Sequence, residues 1–281
     1  QVSMIPPRLA VLPFENLSGD AGQQYISDGM TEEIISKLSR IAGLQVAAGI
    51  SVGHYKRSNK GVQAIGRELG VRYVLEGSVR KSAERVRVTA QLIDTSTGFQ
   101  YWAEDFEGEP KDVIAVQEQI ALKIAEALRL RLSSQEEEAI RRRYTYDAAA
   151  YDEYLQGRAL LQYGTDPRRM QAAVRHFEKA LSRDPDYAPA LAGLAIVEAQ
   201  IYRNLDPSSA RLQRAENYAL QALNLSPDLA EAKRALGQVY AVRYDYGRAV
   251  EHFRKVISVT PADAAAWNNL SWALGYQQPT K

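Results

Sequence analysis

The chain has 281 residues, enough for two domains of ordinary size. Hydrophobic residues make up 46% and charged residues 25%, a globular balance, and a formal net charge of +1 gives no basic footprint for nucleic acid. Cysteine is absent, which excludes disulfides, thiol catalysis and thiolate metal sites, and no apolar run approaches the ~18 residues of a membrane span.

No signal peptide is visible, and the chain opens on Gln1-Val2-Ser3 in place of a start methionine. It reads as an excised or processed part of a longer protein. Arg8-Leu9-Ala10-Val11-Leu12-Pro13-Phe14 reads as a buried strand ended by a turn. Ile26, Met30, Ile34, Leu38 and Ile41 then recur at helical spacing, and Leu44 to Ile50 is a second short apolar run. Val62 to Leu69 is a short helix ended by Gly70. Three strands follow, at Arg72 to Arg80, Arg85 to Ile93 and Phe99 to Phe106. In the middle one Val86, Val88, Ala90 and Leu92 alternate with Arg85, Arg87, Thr89 and Gln91, the pattern of a half-exposed antiparallel strand. A long helix carries Val113, Val116, Ile120, Ile124 and Leu128 on one face. Residues 1–132 therefore form an α/β domain of order strand, helix, strand, helix, three strands, helix. Residues 133–147 form a helical linker, with Ser134 and Glu137 spaced as a capping box.

Residues 148–281 repeat. Aligned on Pro185, Pro227 and Pro261, three copies carry small and aromatic residues at matching offsets. The first has Gly157, Ala173, Phe177 and Ala180. The second has Leu194, Ala195, Ala215, Ala219 and Ala222. The third has Leu236, Gly237, Tyr240, Ala249, Phe253 and Val256. A fourth first helix follows with Trp267 and Leu270. The small residues let antiparallel helices approach, the rings fill the gaps beside them, and proline ends each second helix. The pattern resembles the tetratricopeptide repeat of ~34 residues, in about three and a half copies. Extra residues stretch the first two hairpin turns, at Gly164-Thr165-Asp166-Pro167 and Asn204 to Ser209.

The first part has a resemblance of its own. Leu9 to Asp20, Asp28 to Ile34, Gly66 to Arg80 and Tyr101-Trp102-Ala103-Glu104 are similar, in order, to the amino-terminal domain of TolB, in the form found ahead of tetratricopeptide repeats. The resemblance implies an α+β multidomain chain, a TolB-type α/β domain followed by an all-α superhelix. It also implies the carboxyl-terminal part of a bacterial signalling protein, behind an adenylate cyclase, a winged-helix regulator or a Ser/Thr kinase, and plausibly periplasmic.

Candidate sites follow from position. In open α/β sheets ligands favour the carboxyl ends of strands, so Asn16, Ser18, Asp20 and Asp28 form a candidate ligand loop; turn and cap bonds are the plainer reading of the same residues. The first helices of the array are expected to line a groove with Tyr151, Tyr154, Arg158, Arg234, Gln238, Asn268 and Trp272, a mixture suited to a peptide or partner helix. Packing of Tyr151 and Tyr154 on the linker helix is the competing reading. His176 and His252 share one register, one residue before Phe177 and Phe253, which points to a structural role; with His54 alone no zinc spacing arises. Arg141-Arg142-Arg143 behind Glu136-Glu137-Glu138 reads as a solvated helix face.

The reading is a non-catalytic protein–protein interaction and sensor or scaffold module, with no cofactor, metal, nucleic acid or membrane span of its own. The partner is a protein or peptide, and a homodimer is possible through the open carboxyl-terminal repeat. The alternative is small-ligand sensing by the α/β domain, with the repeats mediating dimerisation.

Overall fold

The computed structural model describes residues 6–58, 60–161 and 166–277, apart from the side chains of Ile50, Lys56 and Arg57. Gln1-Val2-Ser3, Gly164 and Thr165 of the first stretched turn, and Gln278-Pro279 lie outside the described residues. The chain divides into two compact units, Gln1–Arg143 and Tyr144–Lys281.

The first unit is built on one mixed sheet. Its strands are β1 (Arg8–Val11), β2 (Glu15–Asn16), β3 (Gln45–Val46), β4 (Tyr73–Lys81), β5 (Val86–Asp94) and β6 (Phe99–Gly108). The order is β3-β1-β4-β5-β6, with β2 paired to the far end of β4. β1 runs parallel to β3 and β4, while β4, β5 and β6 are antiparallel. Parallel neighbours need crossovers, and the helices α1 (Gln24–Leu38), α2 (Gly49–Gly53) and α3 (Val62–Leu69) lie in those connections. Two more helices, α4 (Val113–Ala127) and α5 (Ser134–Arg141), close the unit.

The alternation in β5 works as its sequence implies. Val86, Val88, Ala90 and Leu92 are fully buried, with Phe106 of β6 opposite Val88. On the other face Arg87 and Thr89 meet Asp105 of β6 at 2.6 and 2.8 Å. Gly77 of β4 stands opposite Ala90 and has no side chain for a reason: a Cβ there would lie 2.3 Å from the Thr89 carbonyl and 2.5 Å from the buried Phe14 ring. α1 buries Ile26, Met30, Ile34 and Leu38, one stripe at four-residue spacing. Ile41 is buried too, although the helix has already ended. The apolar run Leu44 to Ile50 gives only the two-residue β3, because β1 pairs with it through Arg8 and Leu9 alone; the chain then turns into α2. Gly70 ends α3 in the left-handed region, φ +65.

The segment expected to link the two parts lies on the first unit. Ser133, not Ser134, caps α5: its Oγ accepts from Glu136 N–H, and the Glu136 carboxylate accepts from Ser133 N–H at 2.7 Å. Glu136 also accepts from Ala42 N–H at 2.8 Å. Lys37 of α1 donates to the carbonyls of Ile140 and Arg142 at 2.6 and 3.3 Å, which satisfies the orphan end of α5. Arg143 closes on Glu118 of α4 at 2.6 Å, so it is not part of a solvated basic face.

The second unit contains α6 (Ala148–Leu161), α7 (Pro167–Arg183), α8 (Ala188–Asn204), α9 (Ser209–Leu225), α10 (Ala230–Val242), α11 (Tyr246–Val259) and α12 (Ala264–Gln277). Consecutive helices pair as hairpins, α6 with α7, α8 with α9 and α10 with α11, and α12 packs on α11 and α10. The packing rule is ring against glycine. A Cβ on Gly157 or Gly193 would lie 2.7 or 2.6 Å from Phe177, and one on Gly237 2.6 Å from Phe253. In the middle hairpin Ala219 stands at the ring position, and Tyr218 and Leu223 pack beside it. Asp147, Asp166 and Asp245 accept backbone N–H groups at the starts of α6, α7 and α11.

Candidate partner-binding site

The loop after β1 is held by its own bonds. Asn16 Oδ1 accepts from Ser18 N–H at 3.0 Å, and Asn16 Nδ2 donates to the Asp20 carbonyl at 2.9 Å. Ser18 Oγ accepts from Lys81 N–H at 2.9 Å, which ties the loop to the end of β4. Asp20 accepts from Gly22 N–H at 2.8 Å, and Asp28 accepts from Gln24 Nε2 at 3.1 Å. Every one of the four therefore carries a turn, cap or helix bond.

In the second unit the expected groove residues lie on α6, α10 and α12 and differ in exposure. Tyr151 and Tyr154 are buried, 5% and 2% exposed. The Tyr154 ring lies 6.1 Å from Phe177 and 5.2 Å from Tyr187, and its hydroxyl donates to Glu231 of α10 at 2.7 Å. These two tyrosines are thus packing residues of the array, and the expectation that they line an open groove is corrected. The physical reason is the surroundings of the Tyr154 ring, which the Phe177 and Tyr187 rings flank, while α8 packs on α10 through the small Ala188, Ala192 and Ala195. From Glu231 a chain of charges runs through Arg234, at 3.6 Å, to Asp263 at 3.3 Å, and Asp263 caps α12 by accepting from Ala266 N–H. Arg234 Nε and Gln238 Oε1, one turn apart on α10, are buried without a hydrogen-bond partner.

The remaining residues of the set are more exposed. Arg158 is half-buried, its guanidinium 5.5 Å from the Tyr154 ring centre. Asn268 is exposed. Trp272 is 37% and Tyr276 61% exposed, with ring centres 4.8 Å apart. Tyr246 stacks on Tyr276 at 5.7 Å, and Arg203 of α8 reaches over Trp272 at 6.0 Å. Arg203, Tyr246 and Tyr276 escaped the sequence reading. The signal for Tyr276 was present: 268, 272 and 276 share one helix face at four-residue spacing.

A second feature also escaped it. Glu198 is the one acidic residue of the alanine- and leucine-rich α8 and is 5% exposed. Arg211 and Arg214 of α9 hold its carboxylate at 2.5 and 3.3 Å, and Arg211 also meets Asp206 at 3.0 Å. Together with Arg175 and Glu178 these residues line a cavity of about 680 Å³ between α7, α8 and α9. A lone acidic residue in an apolar stretch of helix is the sequence signal. The paired histidines differ in environment. His176 Nδ1 lies 2.6 Å from Glu153, whereas His252 Nδ1 is buried without a partner beside the Tyr240 ring. Burial first, then the nearby Lys255, holds the His252 pKa below the usual histidine value. Among the described residues no three metal-ligating side chains come together, and no described helix is long and apolar enough to cross a membrane.

Residues 6–123 match the family model of the HilA/YgeH-like transcriptional regulator, second domain. A curated relative, the putative adenylate cyclase 3 of Rhizobium meliloti, is 44% identical over 192 residues, 68% of this chain. The chain spans 32% of that relative's length. A match of 192 residues is longer than the first unit, which ends at Arg143, so it includes part of the second. Among solved structures the chain is similar to TolB of Acinetobacter baumannii, with TM-score 0.34, 18% identity and 44% of this chain against 28% of that one. It is also similar to the LpoB carboxyl-terminal domain of Salmonella enterica, with TM-score 0.30, 18% identity and 37% against 83%. A regulator-type domain and a cyclase-named relative mark the chain as a signalling or regulatory module.

Proposed function

We propose that this chain is a non-catalytic protein–protein interaction module of a bacterial signalling protein, a TolB-type domain followed by tetratricopeptide repeats that bind a protein partner. The observation that carries the reading is the exposed stripe of Asn268, Trp272 and Tyr276 on α12, with Arg203 of α8 over the Trp272 ring. Aromatic rings and arginine supply most of the energy at protein interfaces. Support for the hairpins as repeats comes from the recurrent glycine-and-ring packing of Gly157 with Phe177 and Gly237 with Phe253. The cyclase-named relative supports a signalling context, with any catalytic activity belonging to a longer parent chain. Small-ligand sensing at the loop after β1 has less support, because its four polar side chains already hold the loop.

The test is partner capture with the wild-type chain and with the double variant Trp272→Ala, Arg203→Ala. The variant is expected to retain its thermal midpoint and to lose at least about 30-fold in affinity, the consequence of removing about 2 kcal/mol at a hot spot. Unchanged capture by the folded variant would sink the proposal.

A further inference from the structure

The middle hairpin of the second unit is longer than the one that follows it. α8 has 17 residues against 13 in α10, and α9 has 17 against 14 in α11. α8 and α10 begin at the same distance after a proline, at Ala188 and Ala230, and α9 and α11 end at the same distance before one, at Leu225 and Val259. The surplus therefore lies at the turn between α8 and α9. This lengthened end carries Ile201, Leu205, Asp206 and Arg211, and with α7 it encloses the cavity of about 680 Å³. That volume is in the range of small-molecule sites, about 300–1,000 Å³.

The cavity has two kinds of wall. Val174, Ile201, Leu205 and the Tyr218 ring give it apolar surface. On the polar side the acidic groups at the lengthened end are occupied and the donors are open. Glu198 accepts from Arg214 Nε on one carboxylate oxygen and from Arg211 Nη1 on the other. Asp206 accepts from Arg211 Nε on one oxygen and from Ser208 N–H on the other. Among the described residues Arg175 makes no ion pair or hydrogen bond, and neither do the terminal nitrogens of Arg214. Burial, then Glu198 and Glu178, raises the Tyr218 pKa, so its hydroxyl is a donor too.

We infer that this cavity binds a small organic monocarboxylate, with the carboxylate on Arg175 and Arg214 and an apolar body against Val174, Ile201, Leu205 and Tyr218. A guanidinium fork matches a carboxylate with two parallel bonds. Glu198 is 5% exposed and holds Arg211 and Arg214 at the wall, so the site is preorganised. The lining charges balance, with Arg175, Arg211 and Arg214 against Glu178, Glu198 and Asp206. One added negative charge is accommodated there, whereas a doubly charged phosphate meets the repulsion of three carboxylates. No residue of the site belongs to the α12 stripe, so the inference does not rest on the partner-binding reading.

The test is calorimetric titration of the full chain with indole-3-acetate, phenylacetate and octanoate. At least one acid is expected to bind with a dissociation constant of about 1 mM or lower, the affinity of a ligand of that size at ordinary efficiency, and to raise the thermal midpoint. The matching carboxamide is expected to bind at least about tenfold more weakly. Arg175→Ala is expected to weaken the acid by the same factor at an unchanged thermal midpoint, because Arg175 is exposed and holds no other group among the described residues. No binding of any of the three acids at about 10 mM, tenfold above the expected constant, would overturn the inference. So would equal affinity for acid and carboxamide, undiminished binding by Arg175→Ala, or displacement of the acid by inorganic phosphate at equal concentration. The Trp272→Ala, Arg203→Ala variant is expected to bind the acid as the wild type does, so loss of partner capture and loss of acid binding are told apart.

Discussion

At the residue scale, a glycine and a histidine show what the packing permits. Gly237→Ala forces a methyl to 2.6 Å from the buried Phe253 ring. Overpacking of this kind costs about 1–3 kcal/mol, and chemical denaturation should read that loss. His252 is predicted to give the second unit an acid limb. Its folded pKa lies below the ordinary 6.5, because of burial and then Lys255, with Lys233 and Arg248 also opposing the charge and Glu251 favouring it. The unfolded chain therefore binds the proton first. Stability falls as pH drops through about 6.5 and levels off below the folded value. His252→Gln should flatten the difference in denaturation midpoint between pH 7.5 and 5.5. An equal slope in the variant would show that another group is responsible. Carboxylates lowered by ion pairs, such as Asp147 by Arg183, act in a lower window and do not imitate this.

At the element scale, α5 illustrates how a helix is held from outside. Its start is satisfied by the Ser133–Glu136 box and its end by Lys37 of α1. Burial lowers the Lys37 pKa, yet its two carbonyl acceptors would be left unpaired without it. Lys37→Ala is predicted to cost about 2 kcal/mol, the usual loss for hydrogen bonds to a charged group. Faster amide exchange in residues 134–141 than in α1 is the expected signature. The helical period and the cap were legible in the sequence, although the capping serine was read one residue late. The partner was not legible, because Lys37 and Ile140 are 103 residues apart and nothing local links them. The same holds for Arg143, whose charge run looked solvated until Glu118 was placed beside it.

At the scale of the whole molecule, two cores imply two cooperative units. Gly77 belongs to the first, where a Cβ would strike a backbone carbonyl that cannot move aside, and Gly237 to the second. Gly77→Ala and Gly237→Ala are each predicted to lower a different thermal transition. Calorimetry in which both variants shift one common transition would show a single folding unit instead. In candidate-site terms the helices that carry the expected groove residues were legible, since the proline register put Arg234 and Gln238 on α10 and Asn268 and Trp272 on α12. The burial of Tyr154 was not, because its partner Glu231 is 77 residues away and nothing local links them.

By itself the sequence determined the elements: the period-2 alternation of β5, the four-residue stripe of α1, the glycine after α3, and the repeated small-and-ring pattern that pairs the later helices. Each is a local rule, enforced by side-chain direction over a few residues. Only the tertiary structure decided which polar groups are exposed. It buried Tyr154 and Lys37 and paired Glu198 with two arginines. Burial is set by what arrives from distant parts of the chain, and a residue's own neighbours in sequence carry little of that information.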